Sequence, residues 1–442
     1  MDEELLTPEQ QTKPNNVFKN KNFTLVFLGA LVSNVAALFY SFAVSFYILK
    51  ITDNNALIQG LYLAAGGITF CIVTLFGGVV ADRFNKAKIM YICDYLKGGI
   101  IIGFTFLLMF VIKSTEWKVA SLFIVTVLLN AIAGLFSPAS SALLPQIVRE
   151  DQFQQAQSYF SVLNSFQGIV GVVLAGVLYT LIPIDVLFFI VGGCYILSAI
   201  SEMFIKYQSD YEKRGEKLTI KAAFGDIKEG FIYLKSIKAM LVMLICILFI
   251  NFFFSPIFEN FPPYFIATDI TGTEYLFHEM VAPEMWSSFF SVAVGVGSLI
   301  TAIILSGMKQ ADKCNRIVRW SMIGVSTLVA LMALFYGLFK NGVIDINVLL
   351  IILLVILFLV GVSTIFINVP ATATMMRIVD KDKFGKLSSV TAIGSQGLIP
   401  LSMFLGGIAL TYIGSLGLLI ASASGLLITS LALFFAPSVR SI

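Results

Sequence analysis

The chain has 442 residues, of which 58% are hydrophobic and only 12% are charged, and its net charge is +3. Ordinary soluble domains carry about twice that charged fraction. The composition therefore excludes a soluble domain and predicts an all-α membrane protein, because a helix satisfies its own backbone hydrogen bonds inside lipid.

The first 22 residues are polar and lack the apolar core of a signal peptide. We expect residues 1–22 to form a disordered cytoplasmic tail. Twelve apolar stretches follow, and a helix needs about 20 residues to span a bilayer. They are 23–49, 55–80, 89–112, 118–145, 157–182, 186–206, 239–266, 285–307, 316–339, 346–377, 386–413 and 416–436.

These stretches predict two six-helix bundles, residues 23–206 and 239–437, and a short C-terminal segment, 438–442. The bundles are joined by a polar linker, 207–238. Within the linker, apolar residues recur at helical spacing from Ile220 to Leu234. That pattern predicts an amphipathic helix lying at the membrane surface.

The basic residues are strongly biased towards one side of this layout. Of the 29 Lys and Arg residues, all but five lie in the tail, the linker, the C-terminus or the loops that follow the second, fourth, eighth and tenth spans. Lys97 lies inside a span, and Lys50, Lys113, Lys118 and Lys340 lie on the opposite side. Positively charged loops stay in the cytoplasm. We therefore predict a multi-pass protein of the cell membrane with both termini cytoplasmic.

The turn between the second and third spans has an unusual density of charge. Asp82, Arg83, Lys86 and Lys88 lie within seven residues, and Gly78 precedes Asp82 by four positions. We expect Gly78 to permit close helix approach, since it carries no side chain. A plain positively charged cytoplasmic loop is the alternative interpretation.

The spacing of this turn resembles the signature between the second and third helices of the major facilitator superfamily. The family pattern is Gly, three residues, Asp, Arg, one residue, Gly, then Arg or Lys. Asn85 stands where the family usually has Gly, and we expect it to supply the left-handed backbone of the reversal. The resemblance implies a major facilitator fold, a monomer, and a conformational latch formed by Gly78, Asp82, Arg83, Lys86 and Lys88.

Two further patterns agree with that family. Residues 136–148 (FSPASSALLPQIV) resemble the macrolide-efflux and enterobactin-exporter branch, as does Asp94 with Lys97 in the third span. In addition, 138–142 (PASSA) recurs as 370–374 (PATAT), and the Gln-Gly pair at 167–168 recurs at 396–397. Duplicated bundles produce such repeats.

Acidic residues inside a bilayer span are costly and are therefore functional candidates. Asp94 and Lys97 share a helix face at i, i+3. They form either a salt bridge that steadies the turn or a proton-binding site. Glu202 is expected at the membrane interface, paired with Lys206 four residues later.

The seventh span carries a polar stripe of Asn251, Ser255 and Glu259, together with three prolines. Prolines free backbone carbonyls, which is tolerated where a helix lines a wet cavity. We predict a broken helix at a central cavity, with Glu259 as a second proton-coupling candidate. A kinked helix packed on its neighbours, with Glu259 in an outer vestibule, is the alternative.

Polar residues in other spans are further candidates for the cavity lining, and interhelical hydrogen bonding is their equal alternative. They are Asn34, Asn130, Asn164, Gln167, Asn368 and Gln396.

No pattern in the sequence predicts catalysis. The single histidine and the five cysteines are not spaced as metal ligands, and no phosphate-binding Gly-rich loop occurs. We predict no enzyme, cofactor, metal or nucleic-acid partner.

The leading interpretation is a secondary transporter that exports an amphiphilic small molecule (drug, macrolide or siderophore-like) by alternating access, in exchange for protons. A lipid or glycolipid translocase and a transport-inactive membrane sensor are the alternatives. The expected partners are the substrate, protons and membrane lipid.

Overall fold

The computed structural model describes residues 17–149, 152–206, 232, 234–235, 238–275, 277–306, 314–378 and 395–435. These residues fold into helices joined by short turns, without strands. Eleven helical segments are long and apolar enough to cross a bilayer, and two of them, Gln155–Leu181 and Leu244–Ile270, combine shorter helices with a π-helical segment. The predicted all-α membrane class is thereby confirmed. Most of the linker, including the predicted amphipathic helix, lies outside the described residues.

We call the first half of the described chain the N-bundle and the second half the C-bundle. The N-bundle consists of α1 (Lys21–Ile51), α2 (Ala56–Arg83), α3 (Lys86–Phe110), α4 (Thr115–Ile147), α5 (Phe153–Phe166), α6 (Val172–Leu181) and α7 (Ile184–Met203). The C-bundle consists of α8 (Lys238–Glu259), α9 (Phe261–Phe265), α10 (Met285–Ser306), α11 (Cys314–Lys340), α12 (Ile346–Ile378) and α13 (Ile399–Phe435). Two π-helical segments, Gln167–Gly171 and Ile266–Ile270, follow α5 and α9.

The last helix contains a reversal. α13 has 37 residues, and Gly414 inside it has a φ of 68° and is not helical. At 1.5 Å per residue an unbroken helix of that length measures about 55 Å, well beyond the apolar thickness of a bilayer. α13 therefore comprises two arms that meet at Gly414. The predicted count of twelve spans stays a prediction, because residues 386–394 lie outside the described part.

Successive helices run in opposite directions, so their turns collect at two ends of the molecule. We name one the closed end; it carries the turns at 52–55, 111–114, 182–183 and 341–345 and the reversal at Gly414. The other is the terminal end, where α1 begins and where the turns at 84–85 and 148–152 lie.

Asparagine side chains begin the first three helices. Asn20, Asn55 and Asn85 each have extended backbones, and each accepts a hydrogen bond from a backbone N–H of the first helical turn. This N-cap satisfies a donor that the helix itself cannot pair. The left-handed backbone expected for Asn85 is wrong: its φ is −61°, because it caps α3 rather than supplying a left-handed turn.

The end of the predicted disordered tail is ordered. Val17–Lys19 form a 3₁₀ turn, and the Val17 side chain is fully buried. The Phe18 ring packs edge-on against Phe23 and Tyr159 at centroid distances of 5.3 and 4.7 Å. Burial of these apolar groups offsets the loss of chain entropy, so the tail prediction is wrong for residues 17–22.

Both bundles contain a close crossing of two helices at facing glycines. In the N-bundle, Gly77 of α2 lies against the Gly134 carbonyl of α4. In the C-bundle, Gly297 of α10 and Gly361 of α12 lie against each other's helix backbones. Small residues allow such approach within membranes. The related crossings agree with the internal repeat, as do the Gln-Gly pairs at 167–168 and 396–397, which both lie at helix irregularities.

Candidate functional site

The two bundles meet along a seam at the closed end. α2 packs against α13, where a Cβ at Gly60 would lie 2.8 Å from the Gly407 Cα. α6 packs against α10, where the Ser288 hydroxyl donates to the Val172 carbonyl at 2.9 Å. Gly67 approaches the Pro400 ring closer to the middle of the same α2–α13 contact. These paired crossings hold the bundles together in the half of the molecule nearest the closed end.

The hydrophobic clusters show the same difference between the two ends of the molecule. One cluster at the closed end contains Phe46 and Ala56 of the N-bundle together with C-bundle residues such as Phe261 and Tyr336. Towards the terminal end, one cluster around Met90 is formed by N-bundle residues, and another around Met322 by C-bundle residues. Within the described residues, the shared core is therefore at the closed end, and the bundles have separate cores at the terminal end.

The seventh span, predicted to be broken, stays helical through its prolines: Asn260 has a φ of −93° and a ψ of −44°, and its backbone N–H donates to the Pro256 carbonyl at 3.1 Å. The broken helix at a cavity is therefore not confirmed. α8 ends at Glu259, and α9 begins at Phe261. Asn260 between them is fully buried and donates from Nδ2 to the Met403 carbonyl at 3.1 Å. Pro256 packs on Gly406 of the same arm of α13. Pro256 and Asn260 thus dock this part of the span on α13.

The Glu259 side chain is exposed, unlike that of Asn260. Its role in proton coupling stays a prediction.

The other two members of the stripe are engaged with the backbone. The Asn251 amide donates to the Ser395 carbonyl at 2.8 Å, and the Ser255 hydroxyl donates to the Asn251 carbonyl at 2.7 Å. Both side chains are half-buried. Their contacts fit the interhelical and intrahelical roles that the sequence analysis left open for polar residues.

The remaining cavity candidates lie in different environments. Asn130 fills the space beside Gly66 of α2 and donates to the Thr126 carbonyl at 2.9 Å. Gln167 lies in the π-helical segment, half-buried, and its Nε2 is among the described buried atoms without a hydrogen-bond partner. Asn34 is half-buried, whereas the other three are exposed: Asn164, Asn368 and Gln396.

The predicted ion pair in the third span is present and deeply buried. Lys97 Nζ lies 3.0 Å from Asp94 Oδ1, and the two side chains are 8% and 0% exposed. The same ammonium lies 4.3 Å from the centroid of the Phe136 ring and 5.2 Å from that of Tyr195. Such aromatic faces attract a cation. Lys97 is therefore held by one carboxylate and two rings.

The interfacial position expected for Glu202 is wrong. Glu202 is 0% exposed, and neither of its carboxylate oxygens has a hydrogen-bond partner. It faces α1 at Gly29, where a Cβ would lie 3.0 Å from the Glu202 Cγ, and it interacts electrostatically with Asp94 and Lys97. The i+4 spacing to Lys206 misled the prediction, because α7 ends at Met203 and Lys206 lies beyond its final turn.

A second acid–base pair, missed by the sequence analysis, lies at the closed end. Asp269 in the π-helical segment after α9 forms an ion pair with Lys340 at the end of α11. It also accepts a hydrogen bond from the Tyr336 hydroxyl at 2.9 Å. The neighbouring Ala267 carbonyl accepts a hydrogen bond from the Asn54 side chain of the N-bundle at 3.4 Å. The pair therefore steadies a segment of the C-bundle that contacts the N-bundle across the seam.

The charged turn at the terminal end differs from the prediction in one respect. At Gly78 a Cβ would meet nothing within 4 Å, whereas Gly77 is the glycine in close contact with α4. Gly78 lies one residue further along the helix and so faces away from α4. Its role in the latch stays a prediction. Lys86 is buried, and Arg83 and Lys88 are exposed. The Asp82 side chain lies outside the described part, so the latch stays a prediction.

No group of three or more His, Cys, Asp or Glu side chains suited to a metal ion occurs among the residues that the structure describes. The four described cysteines are free thiols. His278, in the loop before α10, contacts the Tyr275 carbonyl through Nδ1 at 3.1 Å.

Comparison with known proteins gives the family. The family model described as Major Facilitator Superfamily matches residues 25–402. The uncharacterized MFS-type transporter YkuC of Bacillus subtilis is 25% identical over 299 residues, which are 65% of this chain and 65% of that protein. Macrolide efflux protein A of Streptococcus pyogenes is 22% identical over 405 residues, 90% of this chain and 91% of that protein.

Solved structures agree on the fold. The crystal structure of a bacterial homologue of the iron transporter ferroportin in an inward-facing state matches with a TM-score of 0.68 and 15% identity. The match covers 93% of this chain and 98% of that one. The resemblance expected from the turn at 78–88 is thus confirmed, and the chain belongs to the major facilitator superfamily of membrane transporters.

Proposed function

We propose that this protein is a secondary active transporter that exports an amphiphilic small molecule by alternating access, in exchange for protons. The observation that carries the proposal is the division of the core. The bundles share one hydrophobic cluster at the closed end and have separate clusters at the terminal end. Two rigid bodies joined at one end can rock about that contact and expose a central site alternately to each side.

The charge distribution supports an orientation for this conformation. Among the described residues, several bases lie at or beside the terminal end, which favours the cytoplasm: Lys19, Lys21, Arg83, Lys86, Lys88 and Arg149. The closed end then faces outside, and the separate cores lie towards the cytoplasm. This arrangement supports an inward-facing state, in which an exporter loads its substrate from inside the cell.

Glu259 is the centre of the proposed substrate site. Its side chain is exposed, and it lies on a helix rich in aromatic residues that include Phe254 and Phe258, whose ring centroids lie 4.4 Å apart. Aromatic faces and a carboxylate together suit an amphiphilic cation. The relative named macrolide efflux protein A supports export as the direction. A proton and a cationic substrate competing for one carboxylate would couple their two fluxes.

The experiment is uptake of a fluorescent amphiphilic cation, ethidium, into proteoliposomes with an acidic interior. We expect uptake that follows the pH gradient and stops when a protonophore is added. Glu259→Gln should abolish gradient-driven uptake, since the amide neither binds a proton nor balances the cation. Glu274→Gln, at an exposed acid of the closed-end loop, is the matched control and should remain active.

Three outcomes would contradict the proposal. Full gradient-driven uptake by Glu259→Gln would remove Glu259 from the site. Uptake that ignores the gradient, together with movement of fluorescent phospholipid between the leaflets, would favour the lipid translocase instead. If neither ethidium uptake nor phospholipid movement occurs and ligand binding is retained, the transport-inactive sensor would be favoured.

A further inference from the structure

We propose that Glu202, Asp94 and Lys97 form a proton-binding site inside the N-bundle, in which two buried carboxylates share one ammonium and one proton. Its role in transport rests on the proposed proton exchange, whereas the presence of the bound proton is a separate claim. Nothing in the sequence pattern joins Glu202 to the other two residues, which lie more than a hundred positions earlier in the chain.

The first support is charge balance. Asp94 and Glu202 are both 0% exposed, and Lys97 is 6% exposed. An unpaired ionised carboxylate is strongly disfavoured in an apolar interior. One ammonium balances one carboxylate, so the site is neutral only when a proton occupies the second. The reaction is the binding of one proton to a carboxylate oxygen, and no other bond changes.

The second support is the geometry of the unpaired oxygens. Asp94 Oδ1 lies 3.0 Å from Lys97 Nζ, whereas Asp94 Oδ2 and both oxygens of Glu202 are buried without a hydrogen-bond partner. Lys97 is already occupied by Asp94 and by the rings of Phe136 and Tyr195. The free oxygens are therefore where the proton resides, because a carboxylic acid tolerates this apolar pocket and a carboxylate does not.

The surrounding elements add no further cation among the described residues. α3 contributes Cys93, Asp94 and Lys97, and α7 contributes Tyr195 beside Glu202; these groups interact electrostatically. α1 presents Gly29 and the buried Ser33 hydroxyl, which has no partner. The Ser198 hydroxyl lies beside the Asp94 carboxylate, but it donates its one hydrogen to the Gly29 carbonyl at 2.9 Å. One base therefore faces two acids.

The location of the site suggests how it acts. It joins α1, α3 and α7 within one bundle rather than lying at the seam. Water reaches buried groups only when these helices separate, so loading and release of the proton must accompany a rearrangement of the N-bundle. Protonation at Glu202 thus biases the conformational equilibrium, while Glu259 contacts the substrate. A ligand shifts such an equilibrium by its differential affinity for the two states.

Infrared spectroscopy of the purified full-length protein tests the bound proton without any transport assay. A protonated carboxylic acid has a carbonyl stretch that carboxylates lack and that shifts in heavy water. At neutral pH, Glu202→Gln and Asp94→Asn should each lose the band of one acid relative to the wild type. Lys97→Met should gain one, because no ammonium then balances the second carboxylate. Glu116→Gln, at an exposed acid of α4, should change nothing.

The signs of these changes decide the proposal. If Glu202→Gln misfolds, Asp94→Asn and Lys97→Met still give opposite expected differences. No loss in the first two variants, or no gain in the third, would overturn the site.

Transport separates this proposal from the function itself. Glu202→Gln in the ethidium assay should retain uptake with a weaker dependence on the pH gradient, because proton and substrate still compete at Glu259. An unchanged dependence would overturn the coupling role of Glu202. Absence of ethidium uptake by the wild type would instead count against the proposed function and leave the infrared result standing.

Discussion

The seam between α2 and α13 leaves no room for a methyl group. A Cβ at Gly60 would lie 2.8 Å from both the Gly407 Cα and the Met403 carbonyl oxygen, whereas ordinary van der Waals contact begins at 3.4 Å. Gly60→Ala therefore requires the two helix backbones to separate by about 0.6 Å. Overpacking of this kind costs about 1–3 kcal/mol. Only the conformation with a closed seam bears that cost.

The expected result is a shift between conformations. A change of about 1–3 kcal/mol corresponds to about 5–150-fold in the ratio of closed to open seams. Spin labels at Lys113→Cys and Val343→Cys, in closed-end turns of the two bundles, report the distance across the seam. The five native cysteines are first replaced. Gly60→Ala should increase the long-distance population.

The matched control is Gly193→Ala on α7, where a Cβ meets nothing within 4 Å. Both substitutions add a methyl group to a helix and gain about 1 kcal/mol of helix propensity, so this contribution cancels between them. Identical distance distributions for the two variants would refute the reasoning. They would mean that the two bundles do not separate at this seam.

Three further predictions follow from the same structure. A cysteine at Thr273 should react with an impermeant thiol reagent from outside intact cells, and one at Gly215 should not; the reverse labelling would overturn the orientation. Asp82→Asn should slow ethidium uptake and change the distance across the seam, with a coupling loss of about 1–3 kcal/mol; unchanged values of both would reduce the charged turn to a topology signal. Lys340→Met removes a charged hydrogen bond worth about 1.5–3 kcal/mol and should lower the thermal unfolding temperature; Lys50→Met, at an exposed lysine, is the control, and equal unfolding temperatures would contradict the prediction.

Much of the fold was readable from the sequence because bilayer thickness fixes helix length. Hydropathy alone located the membrane helices to within a few residues at most ends, whereas the prolines near Asn260 predicted a break that the helical backbone at Asn260 does not show. The Asp94–Lys97 pair was also predictable, since i, i+3 spacing brings two side chains of one helix together whatever surrounds it.

The wrong predictions concern residues whose environment depends on which side of a helix packs against its neighbours. Gly77 rather than Gly78 makes the close crossing, and one residue of register separates the two. Glu202 was assigned to the interface by its distance from the helix end, but its burial depends on α1 and α3. The Asp269–Lys340 pair joins residues 71 positions apart, and sequence spacing contains no signal for such a contact.

The central claim is the exchange of an amphiphilic molecule for protons, and the reverse reaction tests it most directly. Proteoliposomes without a pH gradient are loaded with a pH-sensitive dye, and ethidium is added outside. Each ethidium that enters through an exchanger must be accompanied by protons leaving, so the account predicts that the lumen becomes alkaline and that Glu259→Gln abolishes the change. Ethidium entry with a constant internal pH would contradict proton exchange.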